Sequence, residues 1–90
     1  MSSVERTVTV ANRLGLHARP AAEFVKTASK FEAEITVSKD SMEVNGKSIL
    51  GVMTLAAECG CELVLRATGT DAAAALEALA DVATRDFGDI

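Results

Sequence analysis

Tryptophan and tyrosine are absent from this 90-residue chain and aromatic residues make up only 3% of it, so small aliphatic side chains must fill its core. Base stacking on aromatic platforms is correspondingly disfavoured. Basic residues are also few: nine Lys and Arg stand against thirteen Asp and Glu, a formal charge of −4. Nucleic-acid backbones are bound through clustered cations, so no such partner is expected. No apolar run approaches the roughly 20 residues of a membrane span, and Met1 to Val10 lacks the basic start and apolar stretch of a secretory signal. A cytoplasmic location without membrane association is the expectation. The only cysteines, Cys59 and Cys61, are one residue apart. That spacing is too tight for an easy intramolecular disulfide and, with one distant histidine, too poor for a usual zinc site. They are read as reduced thiols at a turn and the start of a strand, with no metal and no cofactor; a small metal carrier is the weakest alternative.

What is present is periodic. Val4 to Ala11 alternates, with Val4, Val8 and Val10 on one side and Glu5, Thr7 and Thr9 on the other, the pattern of a half-buried strand in which Arg6 is the inner misfit. Ala18, Ala21, Ala22, Val25 and Ala28 recur at helical spacing and predict a helix from Ala18 to about Ser29. Ala33, Ile35 and Val37 alternate again, and Lys39-Asp40-Ser41 turns the chain into a short strand at Met42 to Val44. Ser48 stands where an N-cap belongs, ahead of a short helix from Ile49 to about Leu55. Cys61 to Thr68 predicts a fourth strand. Asp71 looks like the N-cap of a last helix with Ala72, Ala75, Leu76, Leu79 and Val82 or Ala83 buried.

The order is βαββαβα without linker or repeat, so residues 1–90 are read as a single domain. Roughly 60 to 65% of the unfolded surface would be buried at this size. Four strands and three helices predict an α+β plate with one sheet face covered and the other wet. Periodicity alone leaves a ferredoxin-like strand order open.

The only histidine, His17, stands just before the first helix, and the only proline, Pro20, lies in that helix's first turn. A helix N-terminus offers unpaired N–H groups and the positive end of the macrodipole, a prepared site for an anion. Proline costs little there, since its missing donor has no helical partner to lose. A neutral imidazole at that point, with Arg19 two residues on, is placed to accept a phosphoryl group. Arg13, Arg19, Lys26 and Lys47 make the surroundings basic although the chain is acidic, with Glu77, Asp81 and Asp86 towards the other end. A basic patch suits an acidic protein surface. Ile49 and Leu50, adjacent apolar residues on a short helix, cannot both point inward, and an exposed apolar pair suits protein docking.

The segment Asn12-Arg13-Leu14-Gly15-Leu16-His17-Ala18-Arg19-Pro20-Ala21 resembles the active-site segment of the HPr family, the histidine phosphocarriers of the bacterial phosphotransferase system. Gly46-Lys47-Ser48-Ile49-Leu50-Gly51-Val52-Met53-Thr54-Leu55 is similar to the family's regulatory-serine segment, and the resemblance runs on to Arg85-Asp86-Phe87-Gly88. It implies an open-faced sandwich: a four-stranded antiparallel sheet with three helices on one face and the last strand between the first and second. It further implies a carrier rather than an enzyme, with His17 holding the phosphoryl group on Nδ1. Arg19 would be its charge partner, Pro20 would shape the turn, and the Ala18 and Arg19 amides would steady the phosphoryl oxygens.

By the same resemblance, Ser48 matches the serine modified by HPr kinase/phosphorylase in bacteria that have one, and Ile49, Leu50 and Lys47 belong to the surface that meets Enzyme I and IIA proteins. A monomer is expected. Sugar uptake and the nitrogen-related phosphotransfer branch both remain open, as does a non-catalytic regulatory module of the same fold.

Overall fold

The computed structural model describes residues 3–86. Seven elements follow one another: β1 (Ser3–Thr9), α1 (Ala18–Ala28), β2 (Glu34–Lys39), β3 (Met42–Asn45), α2 (Ile49–Thr54), β4 (Glu62–Thr68) and α3 (Ala72–Ala83). Phe87 and Gly88, where the family resemblance ends, lie outside the described residues.

The four strands pair antiparallel in the order β1-β4-β2-β3. The last strand therefore lies between the first and second, and the ferredoxin-like order is excluded. Register carries the sequence alternation across the sheet. Arg6 pairs with Leu65, Leu65 with Val37, and Val37 with Val44, all in one row on the helix-covered side. Leu65 and Val37 in the middle are fully buried, whereas Arg6, on the edge strand, is exposed. It lines a surface hollow with Glu77 and Asp81 of α3, so the misfit of the sequence pattern is an edge cation beside an acidic helix. The adjacent outward row runs Glu5, Arg66, Thr36, Asn45, where Glu5 accepts a 2.7 Å hydrogen bond from Arg66 Nη2.

Helix α1 corrects the expected stripe. Its buried residues are Pro20, Ala21, Phe24, Thr27 and Ala28; Ala18 and Ala22 are exposed and Val25 is half-buried. Burying the Phe24 ring removes far more apolar area from water than burying an alanine, so the helix rolls until Phe24 points inward. Alanines at Ala21, Ala28, Ala72, Ala75, Ala80 and Ala83 line the layer that α1 and α3 lay on the sheet. Their small side chains let backbones approach closely, which compensates for the scarcity of aromatics.

Asp71 occupies the N-cap position of α3 but does not cap it with its side chain. Its carboxylate instead accepts from the Glu32 amide at 2.8 Å and the Ala33 amide at 2.9 Å, pinning the segment just ahead of β2 to the start of α3. The Glu32 amide, seconded by that of Ala33, holds the Asp71 carboxyl below the ordinary carboxylate range. A group whose pKa is lowered by folding stabilises the fold above its unfolded pKa, and that stabilisation disappears as pH falls through the folded value. Wild-type stability should therefore drop as pH falls below about 4, and Asp71→Asn should be less stable at neutral pH yet flatter through the acid range. Parallel melting curves of the two proteins from neutral to acid pH check this; parallel slopes would contradict it.

Candidate functional site

The loop before α1 is built by two short clamps. Asn12 is fully buried; its Nδ2 donates to the Gly15 carbonyl at 2.8 Å while the Gly15 amide donates to the Asn12 carbonyl at 2.9 Å. Gly15 stands at φ +74°, and a Cβ there would meet the Ala57 carbonyl oxygen at 2.3 Å, so both conformation and space demand glycine. The next residue, Leu16, is buried and its amide donates to that same Ala57 carbonyl at 2.8 Å.

His17 follows as the N-cap residue of α1, in extended conformation, with no side-chain hydrogen bond to the helix. It is half-buried, between buried Leu16 on one side and fully buried Pro20 on the other. The chain is thus anchored before and after the imidazole while the ring itself keeps an exposed edge. Its carbonyl accepts the Ala21 amide at 2.9 Å. Because Ala21 is the first residue with a helical acceptor and Pro20 has no N–H, the amides of Ala18 and Arg19 are the donors that this helix end offers to a ligand. Arg19 is exposed on the first turn. A nucleophilic imidazole beside two amides without helical acceptors and an exposed guanidinium is suited to carrying an anion on the ring.

Around it the surface is apolar. Leu14 is 55%, Ile49 40%, Leu50 76% and Met53 41% exposed. Leu14, Met53 and His17 line one shallow hollow with Leu16, Ala56, Ala57 and Glu58. Ile49 and Leu50 are both outward, and Met53 continues their face one turn along α2. Leu14 and Met53 were missing from the site as read from sequence, although the helical spacing from Ile49 and Leu50 to Met53 was a usable signal. Asn12 and Gly15 were legible only as members of a motif, not as the clamp they form.

Ser48 caps α2: its Oγ accepts the Gly51 amide at 3.1 Å and its carbonyl accepts the Val52 amide at 2.9 Å. It does not line the hollow beside His17. Lys47, expected to contribute charge to the docking surface, donates its ammonium to the Phe31 carbonyl at 2.7 Å. That bond directs its charge to the loop between α1 and β2. Cys59 and Cys61 are free thiols within the Glu58–Cys61 turn, and each lies near a carbonyl, of Ala11 at 3.7 Å and of Glu62 at 3.6 Å. Among the described residues no cluster of three or more His, Cys, Asp or Glu is arranged to hold a metal, and no helix is long and apolar enough to cross a membrane.

Comparison with known proteins agrees with the fold. Residues 4–85 match the family described as the PTS HPr component phosphorylation site. The phosphocarrier protein HPr of Treponema pallidum is 53% identical over 76 residues, which cover 84% of this chain and 86% of that protein. The crystal structure of a phosphocarrier protein HPr from Bacillus anthracis superposes with a TM-score of 0.89 at 44% identity, covering 93% of this chain and 100% of that one. The HPr-like protein Crh of Bacillus subtilis is 47% identical over 77 residues, 86% of this chain and 91% of its own. Fold and match together place the chain in the class of small phosphocarrier proteins. The chain belongs to the HPr family, a component of the phosphotransferase system.

Proposed function

We propose that the chain acts as one monomeric, cytoplasmic carrier unit whose His17 takes a phosphoryl group from phospho-Enzyme I and hands it to IIA proteins. The Nδ1 lone pair of neutral His17 attacks phosphorus in line as the P–N bond to the Enzyme I histidine breaks, and the second transfer repeats the exchange with roles reversed. The observation that carries the reading is the half-buried imidazole, fixed between buried Leu16 and Pro20 at a helix end whose Ala18 and Arg19 amides have no helical acceptor. Arg19 would meet the charge of the phosphoryl group. Two amides and one exposed guanidinium would hold it without trapping it, as a carrier requires.

Leu14, Ile49, Leu50 and Met53 then form the docking surface, with Lys47 behind them. Incubation with phosphoenolpyruvate and Enzyme I, followed by intact mass and an acid-lability test, checks the assignment; a chain that stays unlabelled refutes it. A purely regulatory module is the second reading, favoured by the 47% identity with Crh. Failure of labelling together with retained binding to a partner would support it.

Ser48 is proposed as a regulatory phosphorylation site for an HPr kinase/phosphorylase. A negative charge at an N-cap sits at the favourable end of the helix dipole. Ser48→Asp should therefore leave the fold intact and raise stability by about 0.3–1 kcal/mol. The same charge beside Ile49 and Leu50 should slow Enzyme I-dependent labelling, because it must be desolvated against an acidic partner. Melting temperature and labelling rate should move in opposite directions. An unchanged rate would leave Ser48 a cap only.

A further inference from the structure

Lys39, the last residue of β2, reaches across to the end of α2. Its Nζ donates to the Leu55 carbonyl at 3.1 Å and to the Ala56 carbonyl at 3.2 Å, where the last turn leaves carbonyls without helical partners and a cation is favoured. Ala56 stands at φ +50°, a left-handed conformation that disfavours any residue with a Cβ. Such a backbone persists where its surroundings over-determine it. Here the two bonds from Lys39 and the Leu16 amide on the Ala57 carbonyl, at 2.8 Å, do so together. Ala56 and Ala57 are also walls of the hollow that His17 lines, and Leu16 is the residue before His17.

We propose that Lys39 is a positioning residue for phosphoryl transfer at His17. By clamping the carbonyls of Leu55 and Ala56 it fixes residues 55–57, and through the Ala57–Leu16 bond it sets the attitude of His17 and of the wall a partner must match. Lys39 does not touch the transferred group. Its role rests on the carrier reading of His17, and neither the His17 motif nor the apolar patch points to it: the connection runs from the β2–β3 hairpin through the backbone of the α2–β4 connector.

The test compares wild type with Lys39→Met, Lys39→Arg and the double variant Lys39→Met/Ala56→Gly. Amide exchange at Leu16, which needs no Enzyme I, reports the clamp directly. Its rate should rise about three- to tenfold in Lys39→Met, the worth of one hydrogen bond, while core amides such as those of Leu63 and Leu65 are unaffected. The KM for phospho-Enzyme I should rise by a similar factor with kcat nearly unchanged. Lys39→Arg should restore both readouts, and Ala56→Gly, by removing the backbone strain, should shrink the effect of losing Lys39.

Unchanged Leu16 exchange and KM in Lys39→Met would overturn the proposal. So would a uniform acceleration of all amides at constant KM, which would make Lys39 a stabiliser alone. If wild type itself accepts no phosphoryl group from Enzyme I, the carrier reading falls and takes the positioning role with it. That failure is distinguishable because it precedes any comparison of variants.

Discussion

His17→Ala is expected to abolish phosphoenolpyruvate-dependent labelling while leaving a cooperative, nearly unaltered unfolding transition. The two expectations have separate physical grounds. The imidazole makes no side-chain hydrogen bond to the helix it precedes, and the neighbouring contacts that hold the loop belong to Leu16 and Pro20. Removing a half-exposed ring of this kind changes stability by about 0.5 kcal/mol or less. Labelling has no such reserve, because the chain contains no second histidine. A phosphoryl group placed on Ser48 instead would be acid-stable and thus distinguishable. Intact mass after incubation with Enzyme I measures the first effect and thermal denaturation the second. Full, acid-labile labelling of the variant would remove His17 from the mechanism.

Gly15→Ala is expected to produce the largest loss of stability among the substitutions discussed. The left-handed backbone at φ +74° costs an alanine about 1–2 kcal/mol. A Cβ at 2.3 Å from the Ala57 oxygen adds a collision with backbone that has no flexible side chain to give way. A total of about 2–3 kcal/mol follows. The collision falls on the carbonyl that accepts the Leu16 amide, so transfer at His17 should slow as well. Gly60→Ala is the control: Gly60 also has positive φ, at +89°, but a Cβ there would meet nothing within 4 Å. It should show the conformational cost without the collision and without slower transfer. Equal losses for both variants, by chemical denaturation, would show that the contact with Ala57 is not what constrains Gly15.

The local elements were legible because each states its period in a few residues. Alternation from Val4 to Val10 and from Ala33 to Val37 marked strands, and Ser48 ahead of Ile49 marked a helix start that the Gly51 amide confirms. Where local pattern met competing packing it misled. The stripe drawn through Ala18, Ala22 and Val25 ignored Phe24, whose area decides how α1 rolls. Asp71 had the right residue type for a cap, yet two amides just ahead of β2 claim its carboxylate.

The site divides in the same way. His17, Ala18, Arg19 and Pro20 are contiguous, and a lone histidine ahead of a helix that carries proline in its first turn can be read without knowing the fold. Leu14 and Met53 join His17 only when α2 and its connector come back against the loop before α1.

Sequence by itself determined the number and kind of elements, the family motif around His17 and the cap at Ser48, because these depend on side-chain type and spacing along a few residues. Tertiary structure alone decided which residues surround them. The antiparallel order β1-β4-β2-β3 brings Lys39 to the end of α2 and the Ala57 carbonyl to Leu16. Those contacts join residues 16 and 41 positions apart, and no local periodicity encodes a hydrogen bond whose partners meet only after the sheet has closed.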